Sequence, residues 1–127
     1  MSNDHQMSFH RDGDDWKCGS TKAKDHVLKC GMDTGPHIVK FHIGTPDGRY
    51  EFTEDPIWVK TDDGKCPDSA CSHEDITVQN RGKTMLTIKN ENQETAKLRY
   101  QLNVYDNHKN EYCPIDPVID NGGHGKI

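Results

Sequence analysis

The chain has 127 residues and a formal net charge of −5, which is the length of one ordinary domain. Leu, Ile, Val and Phe make up only 21 of these residues, under the level of about 20% at which disorder becomes an alternative. Basic side chains form no stripe, no apolar run is long enough to cross a bilayer, and the N-terminus lacks the pattern of a signal peptide. We therefore expect a soluble cytoplasmic protein that binds neither nucleic acid nor membranes.

The N-terminal segment is strongly charged. Residues 1–26 contain only two large apolar groups, Phe9 and Trp16, among many Asp and Lys side chains, and so little apolar surface does not offset the entropy of ordering a chain. The sequence predicts a flexible polar arm over 1–26, a β-sandwich domain over 27–120 and a flexible tail over 121–127. Docking of Trp16 onto the domain remains open as an alternative.

Apolar and polar residues alternate with period two through the rest of the chain, as in strands with one buried face. Turn-forming clusters such as 45–49 and 106–110 separate these runs, and no stretch has the period of a helix. Pro56 removes a backbone donor and predicts a kink at a sheet edge. The expected inward positions are Val39, Phe41, Ile43, Tyr50, Phe52, Leu86, Ile88, Leu98, Tyr100, Leu102 and Val104. This pattern predicts an all-β fold, an antiparallel β-sandwich of about seven strands.

The runs 86–88 and 100–104 resemble the paired E and F strands of immunoglobulin-like domains. That resemblance implies an immunoglobulin-like sandwich in which Tyr100 ties down the corner between the two strands. Leu102 stands where antibody-type domains have a cysteine, so the inter-sheet disulfide is absent.

Two Asp-Pro pairs, in the segments 55–59 and 116–120, are similar to motifs of the DP-EP family, small bacterial immunoglobulin-like proteins without an assigned activity. The chain differs from that pattern in having Asp-Pro at both places and no Glu-Pro. A structural role also explains these pairs, because Pro protects an edge strand from pairing with another chain.

The longest expected loop, residues 66–75, carries the residues most suited to a metal. Cys66, Cys71 and His73 offer sulfur and nitrogen, which zinc prefers. The spacing between them differs from that of a standard structural zinc site, so a thiol pair or a solvated loop are the competing interpretations. Five cysteines, an odd number, favour reduced thiols over a disulfide framework.

Motifs of hydrolases, kinases and dehydrogenases are missing from the sequence. We therefore expect a non-enzymatic binding or assembly module that recognises a protein partner or a second copy of itself. The expected contacts are sandwich edge strands or the loop 66–75, with Tyr105 and Tyr112 as an exposed aromatic pair around the last turn. The alternative function is a metal-binding or thiol-redox module using Cys66, Cys71 and His73. The eight scattered histidines are expected to be solvated.

Overall fold

A computed structural model of the chain contains two β-sheets. It describes residues 4–13, 15–25, 27–30, 35–44, 48–61, 67, 69–93, 97–116 and 118–121. Within these ranges the strands are β1 (Asp4–Asp12), β2 (Asp15–Cys18), β3 (Thr21–Lys22), β4 (Val27–Cys30), β5 (His37–Ile43), β6 (Tyr50–Thr61), β7 (Ile76–Arg81), β8 (Met85–Asn90), β9 (Lys97–Asp106), β10 (Glu111–Tyr112) and β11 (Val118–Asn121). The helical content of the same ranges is one 3-10 turn, Ala23–Asp25, and they contain no apolar helix that could cross a membrane.

The order of the strands is that of an immunoglobulin-like sandwich. The first sheet has the order β3-β2-β1-β5-β8-β7, and in the second sheet β9 pairs with β6, β10 and β11, with β4 beyond β11. The neighbours β5-β8-β7 and β6-β9-β11 correspond to the B-E-D and C-F-G groups of that fold. The predicted fold class is therefore confirmed, with β8 and β9 in opposite sheets as E and F strands are.

Two details differ from the prediction. The described part of the chain has eleven strands, where about seven were expected, because short strands form at both ends of the chain. The sandwich is also not wholly antiparallel, since β1 runs parallel to β5 and β11 runs parallel to β4.

The predicted inward rows of β5, β8 and β9 form the core between the sheets. Their side chains are between 0% and 4% exposed, and the two aromatic ones, Phe41 and Tyr100, pack with ring centroids 5.6 Å apart. Burying a Leu, Ile, Val or Phe side chain contributes about 1.5–3 kcal/mol, so these rows stabilise the sandwich. The members are Val39, Phe41, Ile43, Leu86, Ile88, Leu98, Tyr100, Leu102 and Val104.

The N-terminal segment contributes β1 and β2 to the first sheet, although the sequence predicts a flexible arm there. β1 pairs with β5 over six residues, and Met7 and Phe9 are 3% and 0% exposed. Trp16 is also buried, and its Nε1 donates to the carbonyl of Cys113 at 3.1 Å. The physical reason is that β1 extends an existing sheet, so its backbone hydrogen bonds and a few buried side chains suffice to order it. Of the expected tail, 121–127, the structure describes Asn121, the last residue of β11.

Pro56 interrupts strand pairing as predicted, but β6 continues past it. The register between β6 and β9 shifts between Phe52 and Ile57, which is a bulge in β6. This bulge bends the strand and shapes the outer surface of the second sheet.

Candidate functional site

A groove with a volume of about 760 Å³ lies on the outer side of the second sheet, beside the bulge in β6. One part of its lining is aromatic and apolar and another part is polar, which is typical of ligand and peptide grooves. The lining residues are Thr53, Glu54, Asp55, Trp58, Gln101, Asn103, Val104, Tyr112 and Pro114.

Asp55 holds the groove in shape through both its backbone and its side chain. Its carbonyl accepts hydrogen bonds from Thr53 Oγ1 at 3.0 Å and from Asn103 Nδ2 at 2.7 Å. Its carboxylate accepts a hydrogen bond from Trp58 Nε1 at 2.8 Å, which fixes the indole in the wall of the groove. The first Asp-Pro pair therefore has a structural role in building this surface.

The second Asp-Pro pair is described only at Asp116. Burial raises the pKa of the Asp116 carboxyl above its ordinary value, and the charge of Arg99 opposes that rise. Pro117 lies outside the described residues. The resemblance to the DP-EP family stays a prediction.

Tyr105 and Tyr112 lie together, as the sequence suggests. They are partners in the pairing of β9 with β10, and their rings meet edge to face with centroids 5.2 Å apart. Tyr112 is 73% exposed and lines the groove, whereas Tyr105 is half-buried. A role of this pair in protein binding remains a prediction.

The loop expected to bind metal is described from residue 69 onward and at residue 67. The backbone N–H of Val59 donates to the carbonyl of Cys71 at 3.2 Å, which attaches the loop to β6. His73 Nδ1 accepts a hydrogen bond from the backbone N–H of Asp75 at 3.1 Å. Cys66 lies outside the described residues, so the predicted zinc or thiol site at Cys66, Cys71 and His73 stays a prediction.

A different group of potential ligands lies between the two sheets. His5 belongs to β1, Cys30 is the last residue of β4, and His37 is the first residue of β5. His5 Nε2 and His37 Nδ1 are 2.8 Å apart, and the two rings stack with centroids 5.0 Å apart. One potential ligand atom from each of the three residues lies within 4.8 Å of the other two, and no second cluster of this kind occurs in the described ranges.

The environment of this cluster favours a neutral imidazole at His37. His37 is 4% exposed, and burial lowers its pKa below the ordinary 6.5, with a smaller contribution from the nearby charge of His5. A neutral imidazole has one nitrogen lone pair available to a metal or a donor. Asn90, which is fully buried, points its Nδ2 at the Sγ of Cys30 at 3.6 Å.

Tyr100 is a polar exception within the core. Its hydroxyl has no hydrogen-bond partner among the described residues, so the expected tyrosine corner does not form. Burial raises the pKa of Tyr100 well above its ordinary value, and Cys18 and Cys30 add to this effect. The hydroxyl therefore remains protonated and its polarity is uncompensated.

Sequence reasoning missed His5 and His37 as a pair and expected both to be solvated. The two residues are 32 positions apart and form no local motif. A partial signal exists, because His5, Met7 and Phe9 alternate in the same way as the inward row that begins at His37. The missing information was the parallel pairing of β1 with β5, which brings the ends of these rows together.

Comparisons with known proteins place the chain in no family. No family model matches it, and no curated protein is similar to it. Among solved structures, it is similar to the crystal structure of the cysteine protease inhibitor EhICP2 from Entamoeba histolytica, with 10% sequence identity and a TM-score of 0.37. That similarity covers 92% of this chain and 95% of the inhibitor. A likeness at this TM-score carries no argument about function.

Proposed function

We propose that this protein is a non-enzymatic binding module that holds an extended segment of another protein in the groove beside the β6 bulge. The observation that carries the proposal is a preformed groove with an aromatic wall, formed by Trp58 and Tyr112, next to the carboxylates of Glu54 and Asp55. A few residues supply most of the energy in protein recognition, and Trp and Tyr in well-packed pockets are enriched among them.

The charge of the groove indicates the chemistry of the partner. The described lining contains two acidic residues, Glu54 and Asp55, and neither Lys nor Arg. The chain as a whole has a net charge of −5. Complementary charge favours a segment in which a Lys or Arg stands next to an apolar side chain, because the cation meets the carboxylates while the apolar group contacts the rings.

The edges of the sheets are weaker candidates for the binding surface than the groove is. β7 is an edge strand, but its register with β8 shifts between Val78 and Asn80. The outer edge of β6 is partly occupied, since Phe52 donates its N–H to the carbonyl of Lys83 at 2.8 Å. Bulges and covering loops are features that protect edges from pairing, so we favour the groove over edge assembly.

The test uses NMR of the ¹⁵N-labelled full chain with a capped hexapeptide of alternating Leu and Arg. The chain has two indole N–H signals, and only the one from Trp58 should shift, because the indole of Trp16 is buried and bonded to Cys113. The same peptide with Glu in place of Arg is the charge control. Equal shifts with both peptides, or no shift at millimolar peptide, would contradict the proposal.

A pair of variants tests the aromatic wall. Tyr112→Ser should weaken peptide binding about tenfold, which corresponds to about 1.4 kcal/mol. Tyr112→Phe keeps the ring and should retain binding. Val27→Ser changes another exposed apolar side chain, 40% exposed and outside the groove lining, and serves as the matched control. A dimer that dissociates in Tyr112→Ser would show that a second copy, and not a partner protein, occupies the groove.

A further inference from the structure

Three strands from both sheets converge at one end of the core. His5 is the outermost member of the inward row of β1, and His37 begins the inward row of β5. Cys30 reaches the same place from β4 in the second sheet and is fully buried. The neighbouring members of the three rows, Met7, Leu28 and Val39, are buried and apolar, so the polar cluster lies directly beside the hydrophobic core.

The distances suit a small ion. A tetrahedral Zn²⁺ with bonds of about 2.0–2.1 Å to nitrogen and about 2.3 Å to sulfur holds its ligand atoms about 3.3–3.6 Å apart. The two histidine nitrogens are 2.8 Å apart, and all three ligand atoms fall within 4.8 Å of one another. Shifts of about 1 Å or less in the side chains would bring the three atoms onto one ion.

A hydrogen-bond donor beside Cys30 supports a metal-bound thiolate at this position. Asn90 Nδ2 lies 3.6 Å from the Cys30 sulfur. The amide of Asn90 is itself fixed in place, because its Oδ1 accepts a hydrogen bond from the backbone N–H of Asn92 at 3.1 Å. Such an outer partner orients a metal-bound sulfur and stabilises its charge. A structural histidine pair alone would need neither the thiol nor this donor.

We propose that His5, Cys30 and His37 form a Zn²⁺ site, with His5 Nε2, His37 Nδ1 and Cys30 Sγ as ligands and the fourth position open. His5 is half-buried and gives access to solvent, so water or an external ligand completes the tetrahedron. Binding replaces the hydrogen bond between the two imidazoles, whose proton moves to another ring nitrogen. The thiol loses its proton to solvent as the zinc–sulfur bond forms.

The first experiment titrates the reduced, untagged full chain with Co²⁺ and then with Zn²⁺ after treatment with a chelator. We expect one ion per chain, a thiolate-to-cobalt charge-transfer band in the near ultraviolet, and loss of that band when Zn²⁺ displaces Co²⁺. Native mass spectrometry of the zinc-loaded chain should show a mass increase of one ion. Absence of binding at micromolar metal would overturn the proposal.

Variants assign the ligands. His5→Gln changes a half-buried residue at the edge of the core and should weaken binding at least tenfold. His10→Gln is the matched control, because His10 lies on the same strand and is exposed. Unchanged affinity in His5→Gln, with circular dichroism like that of the parent chain, would overturn the proposal without depending on a buried substitution.

The two thiol variants separate this site from the loop. Cys30→Ser should remove the charge-transfer band, whereas Cys71→Ser should leave it intact. The reverse result would overturn the proposal and place the ion in the loop that contains His73. If Cys30→Ser does not fold, the decision rests on His5→Gln, His10→Gln and Cys71→Ser, which change residues that are not fully buried.

Discussion

The inward rows of β1 and β9 both end in a polar side chain, but these two side chains have different kinds of polar partner. The row of β9 ends at Asp106, which is 3% exposed, and Arg49 donates to both of its carboxylate oxygens at 3.1 Å. Asp106 Oδ1 also accepts hydrogen bonds from the backbone N–H groups of His108 and Lys109 at 2.9 and 3.3 Å. The row of β1 ends at His5, which faces another imidazole and a thiol.

This difference separates a structural polar group from a candidate site. The protein directs several donors at Asp106, so its charge is neutralised within the fold and stabilises a turn. At the end of β1, two nitrogens and a sulfur converge on a common space, and all three are atoms that donate electron pairs to metals. The convergence of three potential ligand atoms therefore makes this end of β1 a candidate metal site.

The largest expected effect comes from removing an apolar member of the β1 row. Phe9 is fully buried and its ring stacks on Phe41 with centroids 6.1 Å apart. Phe9→Ala should lower the free energy of unfolding by about 3–5 kcal/mol, because it removes a large side chain and leaves a cavity. Urea denaturation followed by tryptophan fluorescence measures this loss.

His10→Ala is the control for that measurement. His10 is the next residue on β1 and is exposed, so its substitution should change the free energy of unfolding by less than about 0.5 kcal/mol. If Phe9→Ala had an equally small effect, β1 would behave as the arm that the sequence predicts, and it would not be part of the stable core.

The same contrast explains what the sequence could reveal. The row of β9 was readable because four apolar residues alternate within one segment. β1 has only two buried apolar side chains in its row, Met7 and Phe9, so the local signal for this strand is weak. Its partner β5 is far away in the chain, so nothing local indicates the contact of His5 with His37. The kink at Pro56 was predictable from one residue, whereas the groove also depends on Asn103, which is 48 positions from Asp55.

A smaller effect is expected from the polar group inside the β9 row. The Tyr100 hydroxyl is buried without a hydrogen-bond partner among the described residues, and an unsatisfied buried group costs about 1–3 kcal/mol. Tyr100→Phe removes the hydroxyl and keeps the ring, so it should raise the free energy of unfolding by about 1 kcal/mol. The tyrosine corner implied by the immunoglobulin-like pattern requires the opposite sign, a loss of stability, and urea denaturation distinguishes the two.

The end of the β9 row should show an effect that depends on pH. Hydrogen bonds from Arg49, supported by the N–H groups of His108 and Lys109, lower the pKa of Asp106 from 3.8 to about 2. Because the folded pKa lies below the unfolded one, the carboxylate stabilises the fold above about pH 4 and loses this contribution as the pH falls toward 2. Asp106→Asn should therefore lower the urea midpoint at pH 7, and its difference from the parent chain should shrink between pH 4 and pH 2.

Arg49→Lys tests whether the paired geometry causes this behaviour. Lysine keeps the positive charge but lacks the two parallel N–H donors of the guanidinium, which match a carboxylate in two places. The variant should lose part of the stability at pH 7 and less of it at pH 2, where about half of the Asp106 carboxylate is protonated. If the difference in urea midpoint between Asp106→Asn and the parent chain stayed constant down to pH 2, the lowered pKa of Asp106 would be contradicted. The contribution of Asp106 to stability would then come from packing and not from its charge.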